Sequence, residues 1–477
     1  MSRDGYALAA ELRQGRGGAT EAVTAALAAI ESRQADLNAL TEVFAETALA
    51  AAAASDRRLA RGAGGALEGV PVTVKDHIWM AGVRATNGSL ALADFVPPED
   101  CVAVRRLRAA GAVIVGKTNN PEFCYRGVTD NLVFGLTRNP RDLSRTPGGS
   151  SGGAGASVAA GLTHLALGTD GGGSIRIPAA FCGVAGHKPT FGLVPKEPGF
   201  KGWKSLSVDG PLATSVRDAA LMLSVLAGAD PADDTTAPVD VGDLVAGAVA
   251  PGSLRGVRIA YSADLGFAPV DPSVRAAFAE AVSVLAALGA TVRPAAPATG
   301  DPTALWNTIA LAEGYASEGP LLASWRDRMS AGTADIIEAG AAITAGAYVD
   351  ALHERNAYGR VWASFFRDHD VLVTPTMQMT AFPVGRLRPE SIEGRPVDPF
   401  FDDWCTLCLP ANLAGLPATS VPAGADRDGL PIGLQVTGPR WADGLTLRVA
   451  AAFESASRSL GRAGRMRAAA AFESVSR

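Results

Sequence analysis

The chain has 477 residues, of which 48% are hydrophobic and 19% charged, and this balance excludes an intrinsically disordered protein. The formal net charge of −5 and the scattered lysines and arginines exclude a basic surface for nucleic acid. The length is compatible with one large α/β domain or with two domains.

Neither the N-terminus nor the cysteines indicate export. The first residues carry charges where a signal peptide needs an apolar run, and the alanine-rich block 48–54 is too short to span a bilayer. We therefore expect a cytoplasmic protein that does not bind membranes. Cys405 and Cys408 form a C-x-x-C motif, which could be redox-active or half of a zinc site. Because nothing else completes a ligand set, we interpret them as buried side chains and predict no metal.

In chain order, residues 6–61 predict two or three alanine-rich amphipathic helices, with breaks at 32–34 and 62–65. The next predicted elements are a strand at 70–76, a helix at 102–110, a strand at 112–116, a helix after Gly153, a strand at 165–167 and a helix at 216–227. This alternation predicts an α/β fold, with a large mixed, mostly parallel β-sheet covered by helices on both faces.

The second half follows a stretch rich in proline, glycine and aspartate at 230–253, which predicts a surface connection. Its predicted elements are a strand at 257–261, a helix at 272–288, a helical region at 303–366, a strand at 370–375, two short strands within 416–435 and a C-terminal helix. The α/β pattern therefore continues through this half.

Residues 147–192 are rich in glycine and serine, and they contain two glycine loops that carry Ser150 and Ser174. Glycine at this density costs backbone entropy and is kept where the chain needs a positive φ or a close approach. We expect the approach to be to an oxygen atom that carries developing negative charge. This stretch is the predicted site.

A serine hydroxyl becomes a good nucleophile only when a neighbour takes its proton, and no histidine lies in the two glycine loops. Lys75 ends the apolar strand at 70–76, where burial would favour its neutral form. A neutral Lys75 could take a proton from one serine through the hydroxyl of the other, which both accepts and donates. The sequence therefore predicts Lys75, Ser150 and Ser174 as catalytic residues.

The sequence Asp-Gly-Gly-Gly-Ser that begins at Asp170 has the form of an oxyanion hole, although a tight turn is the other interpretation. Glycine leaves backbone N–H groups unobstructed, and the expected donors are Gly171, Gly172, Gly173 and Ser174. We expect Arg176 to pair with Asp170 and to brace the loop.

Other chemistries fit less well. Residues 148–152 match the G-x-S-x-G nucleophile elbow, but that motif must follow a strand and would need His353 or His369 as its base. A phosphate loop fails because no Gly-Lys-Ser/Thr follows the glycines. His77 is interpreted as structural or pocket-lining rather than as a proton carrier.

Together these segments resemble the amidase signature family. The blocks that carry the resemblance lie at 148–153, 168–176, 182–186 and 188–190, with further similarity at 71–76, 109–123, 210–218 and 412–435. The resemblance runs from about residue 67 to 455 and is weakest at 303–366.

The resemblance implies roles for these residues. Ser174 would be the acylated nucleophile, Ser150 the bridging serine after a cis peptide bond, and Lys75 the base. Ser151 would support them by hydrogen bonding, and no metal or organic cofactor is implied. The chain would divide into an N-terminal helical segment packed on the core (1–66), the signature core (67–230), a linker (231–256) and the remainder of the same domain (257–477).

The implied activity is that of a stand-alone amidohydrolase for a small, neutral, hydrophobic or aryl amide, with aryl carbamates (urethanes) and esters as further substrates. We expect the pocket to hold four tryptophans from segments outside the signature: Trp203, Trp306, Trp325 and Trp404. A homodimer is compatible with this interpretation.

Two alternatives remain. One is a glutaminase (A) subunit of a tRNA-dependent amidotransferase, which would need partner chains; Leu193 and Pro195 depart from its more common pattern. The other is an inactive binding protein, which intact Lys75, Ser150 and Ser174 disfavour.

Overall fold

The computed structural model describes residues 4–397 and 403–476. Its strands are β1 (Leu40–Val43), β2 (Pro71–Lys75), β3 (Val113–Thr118), β4 (Leu165–Asp170), β5 (Ala185–Lys188), β6 (Val208–Ala213), β7 (Arg258–Tyr261), β8 (Thr291–Pro294), β9 (Val371–Pro375), β10 (Ser391–Ile392), β11 (Arg395–Pro396), β12 (Ala418–Ala425) and β13 (Pro431–Thr437).

The helices are α1 (Gly5–Arg13), α2 (Ala19–Leu37), α3 (Ala45–Leu59), α4 (Val102–Ala109), α5 (Gly152–Ala159), α6 (Arg176–Cys182), α7 (Val216–Leu226), α8 (Ala246–Val249), α9 (Pro272–Ala287), α10 (Thr303–Glu318), α11 (Leu322–Trp325), α12 (Thr333–Ala339), α13 (Ala345–Phe365), α14 (Leu409–Leu413) and α15 (Asp443–Ser476). Short 3₁₀ turns lie at Leu90–Leu92, Glu122–Cys124, Gly319–Leu321, Arg326–Arg328, Gly340–Ala342 and Asp403–Cys405. Among the described residues, no helix combines the length and apolar character that crossing a bilayer requires.

Eleven strands form one sheet in the order β1-β3-β2-β4-β6-β5-β12-β13-β9-β7-β8. This confirms the predicted α/β fold with a large mixed sheet. The expectation of mostly parallel pairing is wrong, because only β2 with β3 and β4, and β7 with β8 and β9, run parallel in the described sheet. The central strands pair antiparallel. For β12 and β13 the reason is the tight turn between them, which allows no crossover helix.

Helices cover both faces of this sheet. Side chains alternate between the two faces of a strand, and Leu165 and Leu167 of β4 belong to the large core that also takes residues from α7, α9 and α15. Ala166 between them packs with residues of α5 and α6 instead. Leu372 of β9 packs with residues of α10 and α13. The apolar strands are buried from both sides for this reason.

The N-terminal segment contains a strand that the sequence pattern did not predict. Helix α2 continues through residues 32–34, where we expected a break, and ends at Asn38, whose φ is 47°. β1 then pairs antiparallel with β3 at the edge of the sheet. Only Leu40 of its four residues is buried, so β1 has no apolar alternation that would reveal it. The sheet thus takes strands from three of the four predicted segments, whose boundaries stay a prediction.

The C-terminal helix is held to the sheet through Asp443 in its first turn. The Asp443 carboxylate accepts hydrogen bonds from the backbone N–H and hydroxyl of Thr190, at 2.8 and 2.6 Å, and lies 3.1 Å from His187 Nε2. Burial alone would raise the pKa of Asp443, but these donors lower it below its usual value.

We predict that Asp443→Ala lowers the free energy of unfolding by about 3 kcal/mol, because it leaves buried donors at Thr190 without an acceptor. Urea denaturation followed by tryptophan fluorescence measures the change. Asp350→Ala, at an exposed position of α13, is the control and should shift the midpoint little. Equal midpoints for the two variants would contradict the prediction.

Candidate active site

Lys75, Ser150 and Thr169 meet at the end of two neighbouring strands. Lys75 is the last residue of β2 and Thr169 lies near the end of β4, which runs parallel to β2. Lys75 Nζ lies 2.6 Å from Ser150 Oγ and 2.7 Å from Thr169 Oγ1. All three side chains are buried. Two hydroxyls therefore replace the water that an exposed amine would have.

The surroundings of Lys75 favour its neutral form. Burial lowers the pKa of the amine below its ordinary value, and the nearby Cys124, Asp209 and Asp170 oppose this effect only in part. A larger fraction of Lys75 is thus neutral near pH 7 than for a lysine in water. Such an amine can accept a proton from Ser150.

Ser174 follows β4 and lines a cleft, here called the catalytic cleft, whose space including its open mouth is about 730 Å³. Ser150 and Thr169 line the same cleft. The Ser174 carbonyl accepts the N–H of Ser151 at 3.1 Å, and the residue is 8% exposed. The peptide bond between Gly149 and Ser150 is cis, as the family resemblance implies. Ser174 is therefore within reach of a ligand in this cleft.

The glycine loop offers three of the four expected oxyanion donors. The N–H of Gly173 donates to Asp170 Oδ1 at 2.8 Å, so it is already engaged. Within the described residues, the N–H groups of Gly171, Gly172 and Ser174 have no acceptor. These three N–H groups are consequently the ones that a substrate oxygen could bind.

Asp170 and Arg176 form the expected ion pair. Arg176 donates from Nε and Nη2 to the two Asp170 oxygens, each at 2.9 Å, and both side chains are fully buried. Burial would raise the pKa of Asp170, but Arg176 holds it well below its usual range. Asn412 and Gln435 complete the network: Asn412 bonds both partners, and the Gln435 side-chain carbonyl accepts from Arg176 Nη1 at 2.7 Å.

Ser151 ties the start of α5 to β4. Its hydroxyl donates to the carbonyl oxygen of Thr169 at 3.1 Å and accepts the Thr169 N–H at 3.2 Å. It therefore contacts the backbone of the residue that holds Lys75. This position suits the supporting part that the resemblance implies for it.

Two more cavities adjoin the site. One, of about 390 Å³, lies along Gly172, Ser174 and Leu409. The other, here called the apolar cavity, has about 880 Å³ and is walled by residues of α10 and α12 that include Ile336 and Ile337. Space for a substrate therefore extends to more than one side of Ser174.

Only two of the four expected tryptophans line these two adjoining cavities. Trp203 and Trp306 line both of them, and the Trp306 indole donates to the Gly171 carbonyl at 3.0 Å. Trp404 is wrong as a pocket residue, because it is fully buried against Phe181 and Phe382. Trp325 is also wrong. It lies outside the catalytic cleft and outside both adjoining cavities.

A Cβ atom could not be added where the tryptophans meet the loop. At Gly171 it would lie 2.7 Å from Trp203 Cε3, and at Gly172 it would lie 2.8 Å from Trp306 Cζ2. Glycine therefore leaves the N–H groups unobstructed and also admits the aromatic walls.

Sequence reasoning missed several residues of the site. Thr169 lies inside the block at 168–176, next to Asp170, so its place in that block was the available signal. Asp209 and Cys124 also line the catalytic cleft, but their segments meet Lys75 only in the folded chain.

His77 lines the catalytic cleft, as its pocket-lining interpretation expects. Its Nδ1 lies 3.0 Å from Asn87 Oδ1. Burial, reinforced by Lys75, lowers the pKa of His77 to about 4, so the ring is neutral at pH 7.

The alternative chemistries find no support in the geometry. Residues 139–147 before Ser150 form turns rather than a strand, His353 is exposed, and His369 stacks on Phe365. A nucleophile elbow is therefore excluded. The two cysteines of the C-x-x-C motif are buried free thiols, and no metal-binding group of His, Cys, Asp and Glu occurs in the described part of the chain.

Comparison with known proteins gives consistent matches. The amidase family model matches residues 21–447. Acylamidase from Rhodococcus erythropolis is 38% identical over 395 residues, which cover 82% of this chain and 82% of that protein. The A component of glutamyl-tRNA(Gln) amidotransferase from Chloroflexus aggregans is 38% identical over 471 residues, covering 91% and 92%. The crystal structure of a bacterial aryl acylamidase of the amidase signature enzymes superposes with a TM-score of 0.88 at 31% identity, covering 98% of each chain.

We predict that Arg176→Met lowers the free energy of unfolding by about 3–5 kcal/mol, because it leaves the Asp170 carboxylate buried without its cation. Arg427→Met is the matched control: Arg427 is 94% exposed, lies 4.0 Å from Asp428, and should contribute less than about 1 kcal/mol. Chemical denaturation of both variants measures the difference. A loss of similar size in the two variants would refute the bracing part of Arg176.

Proposed function

The chain belongs to the amidase signature family, whose enzymes hydrolyse carbon–nitrogen bonds, and from this premise we propose that it is a stand-alone hydrolase of small hydrophobic or aryl amides. Aryl carbamates (urethanes) and esters are further candidate substrates, since the same attack on a carbonyl carbon would cleave them. Ser174 is the proposed nucleophile, Ser150 the bridging serine and Lys75 the base.

The observation that carries this proposal is the apolar space beside Ser174. Trp203 and Trp306 stand edge to face with ring centres 5.0 Å apart, and Trp203 stacks on Tyr125 at 5.3 Å. These rings form walls that the apolar cavity shares with the cavity at Ser174. An aryl or alkyl group of the substrate can bury its apolar surface there, which favours binding.

The proposed reaction begins with attack of Ser174 Oγ on the amide carbonyl carbon. The Ser174 proton passes to Ser150, whose own proton passes to the neutral Lys75 amine at 2.6 Å. Negative charge develops on the carbonyl oxygen as the tetrahedral intermediate forms. The N–H groups of Gly171, Gly172 and Ser174 are the proposed donors to this oxygen.

The second half of the reaction returns the proton. The ammonium of Lys75 gives its proton back through Ser150 to the leaving nitrogen, so the C–N bond breaks and a neutral amine departs. Water then attacks the acyl ester on Ser174 and loses a proton along the same path, and Ser174 regains it as the carboxylic acid leaves. Each cycle consumes one water and converts one amide to an acid and an amine.

We predict that Ser174→Ala, Ser150→Ala and Lys75→Met each lower kcat for a nitroanilide by about 10³-fold or more, because members of one catalytic unit are not additive. The release of nitroaniline measures turnover, and intact-protein mass tests for an acyl adduct on Ser174. Ser157→Ala is the matched control, since Ser157 is buried on α5 and bonds Thr163 away from the cleft. Full activity of Ser174→Ala would show that the nucleophile is assigned wrongly.

The second candidate function is that of a glutaminase component of an amidotransferase. Its support is the 38% identity to the A component of glutamyl-tRNA(Gln) amidotransferase over nearly the whole chain. The same panel of substrates distinguishes the two functions. Turnover of glutamine without anilides, and copurification with partner chains, would favour the amidotransferase component.

We predict that Trp203→Leu lowers kcat/KM for an anilide about tenfold more than kcat/KM for acetamide, because only the aryl group loses its aromatic wall. Trp325→Leu is the control, since Trp325 lies outside the cavities, and it should leave the ratio of the two values unchanged. Equal losses on both substrates would mean that Trp203 acts through its contact with Gly171.

A further inference from the structure

One carboxylate of the catalytic cleft is buried without a partner. Asp209 lies on β6 and is 5% exposed. Among the described residues, none donates a hydrogen bond to its carboxylate, and no lysine, arginine or histidine nitrogen lies within 4.0 Å of it. Buried carboxylates are normally paired or hydrogen-bonded, because their desolvation is costly. An unpaired one that lines an open cleft indicates a ligand that supplies the missing donor.

The register of the sheet places Asp209 beside the catalytic residues. Asp209 pairs directly with Thr169 across the antiparallel strands β4 and β6. Directly paired residues point to the same face, with Cβ atoms about 5 Å apart. Thr169 Oγ1 lies 2.7 Å from Lys75 Nζ, so the unpaired carboxylate is on the face that holds the base.

A second hydrogen-bond acceptor lines the same cleft. The bond between His77 Nδ1 and Asn87 Oδ1, at 3.0 Å, requires the proton on Nδ1, because the amide oxygen can only accept. Asn87 Oδ1 also accepts from the Cys124 thiol at 3.5 Å, which agrees with this assignment. The Nε2 of the neutral His77 ring therefore carries a lone pair.

The lysines of the cleft are engaged elsewhere or lie at its mouth. Lys196 Nζ donates to the carbonyl oxygens of Lys204 and Ser207, at 2.6 and 2.8 Å. Lys201 and Lys204 are exposed, and Lys204 pairs with Asp234 at 2.9 Å. None of them is bonded to Asp209.

We infer that Asp209, assisted by Nε2 of His77, is a specificity-determining residue that binds a primary ammonium group of the substrate. An ammonium carries three donors and a positive charge, so it satisfies the carboxylate and the imidazole together. This inference rests on the proposed function and refines it: the substrate is hydrophobic or aryl in its body, but it carries an amine in place of being wholly neutral.

The charge state of Asp209 agrees with this inference. Burial raises the pKa of Asp209 to about 7, although His77, Lys196 and Lys75 act to lower it. In the empty cleft the anion is thus disfavoured. A bound ammonium supplies the counter-charge that stabilises it.

The test compares pairs of substrates that differ only in the amine. Nitroanilides of 3-aminopropanoic, 4-aminobutanoic and 5-aminopentanoic acid are each set beside the isostere in which a methyl group replaces the ammonium. A fourth pair, the 4-(aminomethyl)anilide and 4-ethylanilide of acetic acid, places the amine on the leaving group. The measured quantity is the kcat/KM ratio of amine to isostere at about pH 8, above the pKa of Asp209.

For at least one pair we expect wild type to prefer the amine, and Asp209→Asn to lower the ratio about tenfold or more, as loss of a charge-assisted hydrogen bond does. Asp218→Asn is the matched control. Asp218 is a buried carboxyl whose pKa is also raised to about 7, but it lies on α7 outside the cleft, and its variant should keep the wild-type ratio.

Two outcomes overturn the inference. One is an unchanged ratio in Asp209→Asn for every pair. The other is an equal fall for amine and isostere, which would mean that Asp209 acts only through Lys75. If wild type turns over no anilide, the proposed function fails first. Calorimetric titration of Ser174→Ala with the same pairs then decides the inference, which requires tighter binding of an amine and its loss on adding Asp209→Asn.

Discussion

Removal of the Lys75 amine from water is the constraint on which the rest of the site depends. A charged lysine in this position would need counter-charges, but the atoms within hydrogen-bond distance are the hydroxyls of Ser150 and Thr169. Both are neutral groups that can accept or donate. The parallel pairing of β2 with β4 brings the ends of the two strands together, and the glycine loops then place Ser150 and Ser174 in the same cleft.

The site treats its two buried carboxylates in opposite ways. Asp170 receives hydrogen bonds from Arg176, Asn412 and the N–H of Gly173, so its charge is fully compensated and it holds the loop in shape. Asp209 has no such donors among the described residues, although it is almost as deeply buried. A compensated carboxylate stabilises the architecture, whereas an uncompensated one in a cleft is available to a ligand.

The substrate walls and the oxyanion donors are coupled because they touch. Trp203 and Trp306 pack directly on Gly171 and Gly172, and α10, which carries Trp306, lies in the region where the signature resemblance is weakest. This arrangement allows members of one family to differ in substrate while the catalytic segment stays the same. Changes in α10 and α12 reshape the apolar cavity without altering the hydrogen bonds of Lys75.

The sequence by itself determined which short segments carry the chemistry and how strands and helices alternate. Lys75, Ser150, Ser174 and the pair of Asp170 and Arg176 could be identified because each lies in a contiguous block whose residue types and spacing suggest one chemistry. The four-residue strand β1 and the antiparallel centre of the sheet could not be predicted, since strand pairing depends on contacts between distant segments. For the same reason only the tertiary structure decided that Trp306 lines a cavity while Trp404 fills the core, and that Asp209 lies opposite Thr169.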